Sequence, residues 1–259
     1  MIDRQRKILE ILTNQHAASV LQLSEVLKVS AVTIRSDLDQ LEQKGQIIRT
    51  HGGALLAEER TRQEFTYATR KAIHADRKHR IGKAAAALVQ PFDSILLDAS
   101  TTAVAVGQAL KRIPGLNDIT IIATGIWTAL EMLGVSGFQV VLLGGSVRDA
   151  TGSTSGSIAI ETINRFNFNK AFLGAWGLTL EEGLMDSPLA EVELKRAAVG
   201  RSQEVIAILD GSKFGRLGLG SFATLKQITR IVTDSNAPRN MLQALRQRGI
   251  EVIVAEEKT

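Results

Sequence analysis

The 259-residue chain contains no cysteine. Disulfide bonds and cysteine-based zinc or iron–sulfur sites are therefore excluded, which agrees with a cytoplasmic location without requiring one. Histidine is scarce too, and the four histidines show no spacing typical of metal ligands: His16, His51, His74 and His79. We expect neither a metal ion nor an organic cofactor.

Long hydrophobic runs are also missing. The longest apolar segments, such as Ile119–Ala123, have the length of a β-strand, and the N-terminus lacks the apolar segment of a signal peptide. We therefore expect a cytoplasmic protein without a membrane span. With 44% hydrophobic and 22% charged residues, the composition is that of an ordinary globular protein with one small domain and one larger core.

The formal net charge of +4 lies entirely in the N-terminal third. Residues 1–57 contain seven Lys/Arg and six Asp/Glu, residues 58–80 contain seven and four, and the remainder contains seventeen of each. This positive excess agrees with nucleic-acid binding, although it is small enough to arise by chance.

The segment 29–45, VSAVTIRSDLDQLEQKG, predicts a helix with one polar face. Ser30 is a good N-cap, because its hydroxyl accepts from a backbone N–H of the first turn, and Gly45 favours a C-terminal end. Ile34, Leu38 and Leu41 form a single apolar stripe at helical spacing. The opposite side is left for a partner and carries Val32, Ser36, Asp39 and Gln43, with Thr33 and Arg35 on the flanks.

Two shorter helices are predicted upstream, over residues 4–14 and 21–27. In the second of them Leu23, Val26 and Leu27 are expected to point inward. Only Lys28 and Val29 separate this helix from the next, as in a helix-turn-helix, whose last helix enters the DNA major groove through its N-terminal residues. The residues expected to contact DNA are Ala31, Val32, Thr33, Arg35 and Ser36.

A β-prone run with a Gly-Gly turn follows at residues 46–54. We interpret it as a wing whose Arg49 and His51 approach phosphate or the minor groove. The alternative is a structural three-helix bundle or a winged helix that binds protein. Because one helix-turn-helix reads only a few base pairs, we expect at least a homodimer on double-stranded DNA.

Strand-like and helical patterns alternate in the rest of the chain, which favours an α/β fold with a mainly parallel sheet and helices on its faces. A helix is expected from Ile73 onward. We predict a winged helix-turn-helix at 1–57, a charged linker at 58–78 and a larger α/β domain at 79–259. The strand-like runs are 94–98, 119–124, 139–143, 171–175, 205–210, 230–234 and 251–255.

Ligands of open α/β sheets bind at the carboxyl ends of the strands. The first predicted strand is followed by Asp98-Ala99-Ser100-Thr101-Thr102, whose hydroxyls and N–H groups at a helix N-terminus would form a phosphate cradle. A capped helix start without a ligand explains these residues equally well. The next two predicted strands end in Thr124-Gly125 and Gly144-Gly145, where glycine lets a ligand approach the backbone.

The chain resembles the DeoR family of bacterial transcriptional regulators over essentially its whole length. The resemblance is carried, in order, by SAVTIRSDLDQLEQKG, IIRTHGGAL, DASTTA at 98–103, LLGGSVRDATGSTSG at 142–156, KAFLGAWG at 170–177, EVELKRA at 191–197 and ILDGSKFGR at 208–216. It implies a repressor of a carbohydrate-utilisation operon. It also implies a sensor domain that is similar in fold to ribose-5-phosphate isomerases and binds a phosphorylated sugar, which changes operator affinity.

The resemblance further implies an effector site. Glu191 and Lys195, on a helix with Ser187 as N-cap, would lie beside the sugar, although a solvated ion pair is the ordinary expectation for this spacing. Arg148 would either clamp an anion or lie in solvent. The residues expected to bind effector are Asp98, Ser100, Thr101, Thr102, Thr124, Gly125, Gly144, Gly145, Arg148, Trp176, Glu191, Lys195 and Lys213.

The chain departs from the family pattern near this pocket. It has Ala99-Ser100 where the family more often has Ser-Gly, Gly125-Ile126 where it has Asn-Ser, and Trp176 where it has a small or acidic residue. Trp176 and Trp127 are the only tryptophans, and each either stacks on a sugar or packs in a core. If Trp176 lines the site, the effector is small or is bound differently from hexose phosphates.

Two other classes of function compete with this interpretation. An isomerase of sugar phosphates would use Asp98, Glu191 and Lys195 as acid–base groups, but it has no need of residues 1–57, so we expect no catalytic activity. A co-repressor that binds protein through its helix-turn-helix would fail to bind DNA even at low salt.

Overall fold

The structure, a computed structural model, describes residues 3–15, 17–43, 46–50, 52–56 and 66–256. The chain divides into two compact units, Met1–Ala75 and Asp76–Thr259. The finer division into two domains and a linker, with bounds at 57 and 78, stays a prediction.

The first unit combines helices with a small antiparallel sheet. Its elements are α1 (Asp3–Gln15), β1 (Ala17–Ser19), α2 (Val20–Leu27), α3 (Ala31–Gln43), β2 (Ile47–Thr50), β3 (Gly53–Leu56) and α4 (Tyr67–Ala72). The strand order is β1-β3-β2, and the hairpin of β2 and β3 is the predicted wing. The N-terminal winged helix-turn-helix is therefore confirmed.

Helices α1, α2 and α3 share one apolar core. The predicted stripe of α3 is confirmed, because Ile34, Leu38 and Leu41 are fully buried. The inward orientation predicted for Val26 is wrong, since this side chain is 61% exposed. An eight-residue helix buries only a narrow stripe, and in α2 residues spaced three and four apart fill it, with Val20 and Leu23 buried and Leu27 half-buried.

The helices of the remaining chain are α5 (Ala75–Ala86), α6 (Thr101–Leu110), α7 (Ile126–Met132), α8 (Ser157–Ile163), α9 (Leu189–Gly200) and α10 (Arg239–Gln247). The helix expected from Ile73 begins two residues later, at Ala75, after His74 takes a left-handed backbone conformation with φ +53°. Helix α4 lies within the segment predicted as linker.

The strands of the second unit are β4 (Ser94–Leu97), β5 (Ile119–Ala123), β6 (Phe138–Leu142), β7 (Ser146–Val147), β8 (Thr154–Ser155), β9 (Phe168–Leu173), β10 (Gly177–Thr179), β11 (Gly183–Asp186), β12 (Ser202–Ile208), β13 (Gly220–Ala223), β14 (Arg230–Asp234) and β15 (Glu251–Ala255). Seven of them form a parallel sheet in the order β15-β14-β12-β9-β4-β5-β6. All seven predicted strands are present in it, with ends displaced by at most three residues.

Both faces of this sheet are covered by helices, because alternate strand residues point to opposite sides. On β4, Ile95 and Leu97 pack with α5, α6 and α7, whereas Leu96 packs with α8, α9 and α10. The predicted α/β fold with a mainly parallel sheet is confirmed. Two small antiparallel sheets, the pair β7-β8 and the three-stranded β10-β11-β13, were not predicted, since strands of two to four residues leave little periodicity to detect.

Candidate functional site

The turn between α2 and α3 is held by local hydrogen bonds. Lys28 adopts φ +53° at the end of α2, and the hydroxyl of Ser24 donates to the carbonyl of Val29. The Ser30 hydroxyl oxygen accepts from the backbone N–H of Thr33 at 3.2 Å, which confirms Ser30 as N-cap. The predicted end at Gly45 lies outside the described residues. The start of α3 is therefore fixed by its own sequence.

The first two turns of α3 present the residues expected to contact DNA. Val32, Arg35 and Ser36 are exposed, whereas Ala31 and Thr33 are half-buried. The Thr33 hydroxyl lies 2.9 Å from that of Ser30 and so belongs to the cap. Three side chains of this helix start are thus available to a partner.

Arg49 of the wing is bonded to α3. Its Nη1 donates to the carbonyl of Arg35 at 3.0 Å and to Oδ1 of Asp39 at 2.8 Å, and its backbone N–H donates to Glu42. The contact joins the wing to α3 and pairs the charge of Arg49 with the carboxylate of Asp39. His51, the other residue expected in the wing, lies outside the described residues.

Helix α3 also carries a buried charge that sequence reasoning missed. Asp37 is only 2% exposed, and both of its carboxylate oxygens accept from the guanidinium of Arg4 on α1. The signal was available, because Asp37 falls three residues after Ile34 on the inward face. The pair fixes α1 against α3.

At the carboxyl edge of the parallel sheet, Asp98 links two neighbouring strands. Its Oδ1 accepts from the backbone N–H of Ser100 at 2.9 Å, and its Oδ2 accepts from that of Gly174, just after β9, at 2.9 Å. Asp98 is fully buried. The carboxylate therefore sets the path of the loop that enters α6.

Lys195 of α9 reaches the same point. Its Nζ lies 2.9 Å from Oδ2 of Asp98 and 2.6 Å from Oδ2 of Asp186, and it donates to the carbonyl of Gly174 at 2.9 Å. Burial disfavours the ammonium, but the negative charges of Asp186, Asp98 and Glu191 outweigh it and raise the pKa of Lys195. The ordinary expectation of a solvated Glu191–Lys195 pair is wrong, because both side chains are buried by α9 packing against the sheet edge.

Glu191 has its own partners. Its Oε1 accepts from the Ser153 hydroxyl at 2.6 Å and lies 3.4 Å from Nη1 of Arg148. Arg148 and Ser153 belong to the hairpin of β7 and β8, in which the backbone N–H of Arg148 donates to the carbonyl of Ser153. Arg148 thus lies partly buried against a carboxylate rather than free in solvent.

The predicted N-cap of α9 is wrong by one residue. Helix α9 begins at Leu189 with Pro188 in the cap position, and no side chain bonds the first turn there. The Ser187 hydroxyl instead accepts from the backbone N–H of Leu219 at 3.1 Å. The hydroxyl that would cap the helix is therefore used in a long-range hydrogen bond instead.

The start of α6 is the predicted phosphate cradle. The Ser100 hydroxyl accepts from the backbone N–H of Ala103 at 3.0 Å, so this serine is an N-cap. The N–H groups of Thr101 and Thr102 have no acceptor within the helix, because they precede its first hydrogen-bonded turn. Both threonines are largely buried, at 7% and 6% exposure.

Glycines allow backbone segments to meet around this cradle. A Cβ on Gly174 would lie 2.6 Å from Cβ of Ser100, and one on Gly125 would lie 2.7 Å from Cβ of Ala99. Gly145 has φ +124°, and a Cβ there would lie 2.4 Å from the carbonyl oxygen of Ser155. Gly144 and Gly145 are both exposed. Gly174 was not predicted as a site residue, because it lies inside the predicted strand 171–175, whereas in the structure it follows β9.

Thr124, which follows β5 at the carboxyl edge of the sheet, contributes its backbone carbonyl to this region. Its carbonyl accepts from both the N–H and the hydroxyl of Thr154, at 2.8 and 3.0 Å. This ties the end of β5 to β8, the strand that follows Ser153. The hairpin is thereby held beside the cradle.

The two tryptophans lie in different surroundings. Arg216 lies over the Trp176 ring with Cζ 3.5 Å from the centroid, and Nζ of Lys213 lies 5.8 Å from the same centroid. Trp127 packs on Gly152, where a Cβ would lie 2.6 Å from its Nε1. Arg216, which was not predicted as a site residue, covers one face of the Trp176 ring.

Comparison with known protein families decides the family. The DeoR-like helix-turn-helix domain matches residues 4–60, and the DeoR C terminal sensor domain matches residues 73–235. The chain belongs to the DeoR family. It is a DNA-binding transcriptional regulator with an N-terminal helix-turn-helix and a C-terminal sensor domain.

The relatives of this DeoR-family regulator match along nearly their whole length. The HTH-type transcriptional regulator GolR of Listeria innocua is 34% identical over 98% of each chain. The glycerol-3-phosphate regulon repressor of Escherichia coli is 28% identical over 96% of this chain and 97% of its own. Both are transcriptional regulators.

Among solved structures, ribose 5-phosphate isomerase from Plasmodium falciparum matches 55% of this chain and 54% of its own, with 21% identity and a TM-score of 0.40. A similarity of this size carries no conclusion about function.

Within the described ranges, no helix is long and apolar enough to cross a membrane. No group of three or more acidic or histidine side chains there is arranged to hold a metal ion.

Proposed function

We propose that this regulator is a cytoplasmic repressor of a carbohydrate-utilisation operon, and that a phosphorylated sugar or related metabolite releases it from the operator. The observation that carries the proposal is the start of α6, where the N–H groups of Thr101 and Thr102 face the same sheet edge as the Asp98–Lys195 pair. An anion is favoured there, because helix N-termini combine free donors with a positive dipole end.

The phosphate would bind to the first turn of α6. Ser100, Thr101 and Thr102 offer hydroxyl groups, and Gly174 keeps the neighbouring strand end free of a side chain that would displace Ser100. Gly125 and Gly144 border the same edge, at the ends of β5 and β6. Glycine at these strand ends keeps side chains away from the edge at which we propose that a compact tetrahedral anion binds.

The hydroxyl end of the effector would meet Glu191 and Arg148. Nη1 of Arg148 lies 3.4 Å from Oε1 of Glu191, and the Arg148 side chain keeps 26% of its surface exposed, so this charged pair borders solvent at the open end of the site. We assign Asp98 and Lys195 as positioning residues that hold the loop before α6 and do not contact the effector. Asp98 is fully buried, and both of its carboxylate oxygens already accept hydrogen bonds.

Trp176 favours a short effector. One face of its ring is covered by Arg216, which closes that face to a sugar and narrows the space for a ligand. Arg216 and Lys213 add positive charge at this end of the site, which suits a phosphorylated ligand. The glycerol-3-phosphate regulon repressor, a relative of similar length, makes three-carbon phosphates the first compounds to test.

The same groups are poorly suited to catalysis. Proton abstraction next to a carbonyl needs a base with a pKa near the working pH. Lys195 has a raised pKa and stays an ammonium, and Asp98 is held by three hydrogen-bonding partners. We therefore propose that the pocket senses its ligand without turning it over.

DNA binding would use two copies of α3. One helix reads only a few base pairs, so operator affinity requires at least a dimer on repeated half-sites. An effector acts as a switch only if it favours one arrangement of the two DNA-binding domains. A coupling of about 1–3 kcal/mol would lower operator affinity about 5- to 150-fold.

The experiment is a paired thermal-shift and gel-shift screen. Glycerol 3-phosphate, triose, pentose and hexose phosphates are compared with their unphosphorylated counterparts, on a duplex that the protein selects from a random pool. At least one phosphorylated compound should raise the melting temperature and release DNA, and its unphosphorylated form should do neither. Turnover of the same compounds by the purified protein would contradict the assignment as a sensor.

Variants locate the site. The double change Thr101→Ala with Thr102→Ala, and the isosteric Thr101→Val with Thr102→Val, should remove both responses while basal DNA binding persists. Thr162→Ala on α8 is the matched control, because its hydroxyl bonds only within its own helix, to the carbonyl of Ile158. An unchanged response in both double variants would show that the phosphate binds elsewhere.

A further inference from the structure

An exposed valine stands among the polar residues at the start of α3. Val32, the second residue of the helix, is 71% exposed, whereas Ile34, Leu38 and Leu41 of the same helix are fully buried. A β-branched residue is a weaker helix former than the unbranched alternatives. Neither core packing nor helix propensity therefore accounts for valine at this position.

The chemistry of DNA supplies a partner for such a side chain. Valine has no hydrogen-bonding group, so it cannot read the donors and acceptors of base edges. The apolar group that the major groove offers is the 5-methyl of thymine. Contact between the two would remove both from water, which favours thymine over any base without this methyl.

The neighbours of Val32 define where this thymine would lie. Arg35 and Ser36, three and four residues later, share its face of the helix, at Cβ separations of about 5–6 Å. Arginine pairs with guanine O6 and N7 through its fork of donors. Since stacked bases are about 3.4 Å apart, the bases met by Val32 and Arg35 are one or two steps apart.

The helix start that carries Val32 is well anchored. Ser30 caps the first turn, the Ser24 hydroxyl holds the carbonyl of Val29, and Arg49 of the wing bonds the carbonyl of Arg35. A valine on a helix is also restricted to essentially one χ1 rotamer. The methyl groups of Val32 are therefore presented in one place, as a shape-specific contact requires.

We infer that Val32 is a specificity-determining residue that reads the 5-methyl group of one thymine in each operator half-site, next to or one step beyond the base read by Arg35. The inference rests on the proposed entry of α3 into the major groove. It adds a base identity to the operator that the protein recognises.

The test removes the methyl group alone. The full-length protein selects duplexes from a random pool, and each thymine of the selected duplex is then replaced singly by deoxyuridine. One position per half-site should bind wild-type protein about fourfold more weakly, since a buried group of methylene size contributes about 0.8 kcal/mol. With Val32→Ala, the thymine and uracil duplexes should bind equally.

Val26→Ala is the matched control. Val26 has the same side chain and is 61% exposed, but it lies on α2, so its variant should discriminate thymine from uracil as the wild type does. If Val32→Ala keeps the discrimination, or if no single uracil weakens the wild type, the inference is wrong while DNA binding stands. If the wild type selects no duplex, DNA binding through α3 fails, and the inference with it.

Discussion

Nζ of Lys195, on α9, lies 2.9 Å from Oδ2 of Asp98, the residue that follows β4 at the carboxyl edge of the sheet. The same ammonium contacts Asp186 at the end of β11, so one side chain joins the parallel sheet to the small antiparallel one. Since Asp98 also orients Ser100 and Gly174, the ion cluster sets the geometry of the loop that enters α6.

Replacing Lys195 by Met should destabilise the sensor domain. The change leaves Asp98 and Asp186 buried without their cation, and breaking a buried ion pair by removing one partner costs about 3–5 kcal/mol. The measurement is urea unfolding followed by tryptophan fluorescence, which reports this unit because both tryptophans lie in it. Lys226→Met, at an exposed lysine, should change the free energy of unfolding by less than about 0.5 kcal/mol. A loss below about 1 kcal/mol for Lys195→Met would contradict the buried-pair interpretation.

The stabilisation from Lys195 should depend on pH only in the alkaline range. Its folded pKa is raised above the ordinary 10.5, so its contribution is fully present below 10.5 and is lost as pH rises through the higher folded value. The difference in unfolding free energy between wild type and Lys195→Met should therefore be flat from about pH 7 to 10 and fall above that range. A difference that already shrinks near neutral pH would mean that the ammonium is not held by its carboxylates.

Gly174→Ala should impair the effector site. Its Cβ would lie 2.6 Å from Cβ and 2.7 Å from Oγ of Ser100, so the loop before α6 must move. We expect a stability loss of about 1–3 kcal/mol and loss of the response to phosphorylated compounds, while DNA binding persists. Gly200→Ala, where nothing lies within 4 Å of the added Cβ, is the control and should be neutral or slightly stabilising. A normal response in Gly174→Ala would rule out a phosphate held by the Ser100 loop.

Much of the fold was predictable because its signals are local. Inner strands of the parallel sheet, such as β4 and β9, are largely buried and appear as apolar runs, and Ser30 caps α3 as its sequence indicates. The predicted burial of Val26 was wrong because helical spacing alone does not say how wide a buried stripe is. The predicted N-cap role of Ser187 was wrong because its hydroxyl accepts from a distant backbone group, the N–H of Leu219.

The site was only partly predictable, since its partners come from distant segments. Asp98 and Lys195 were named as candidates, but their mutual contact depends on how α9 packs against the sheet edge. Asp186 and Ser153 lie in strands or turns too short to show a pattern, and Arg216 acquires its role only by packing on Trp176. Long-range packing, which periodicity does not encode, assembles these groups.

Assembly provides an independent prediction. A single α3 buries too little DNA for operator affinity, so the protein should be at least a dimer at micromolar concentration, and its selected duplexes should contain repeated half-sites about 10 base pairs apart or a multiple of this. Light scattering measures the mass and selection gives the spacing. A monomer both with and without the selected duplex would contradict the prediction.

Arg35→Ala should weaken operator binding in a base-specific manner. Arg35 is exposed on the face of α3 that also carries Val32 and Ser36, and a bidentate contact to guanine contributes about 1–3 kcal/mol of discrimination. Gel-shift titration against single-base variants of the selected duplex should show that the preference disappears at one position per half-site and persists at the others. Arg239→Ala, which removes the same charge from an exposed position on α10, should leave affinity and preference unchanged. A loss of affinity that is uniform across all base variants would instead assign Arg35 to phosphate, because phosphate contacts carry no sequence information.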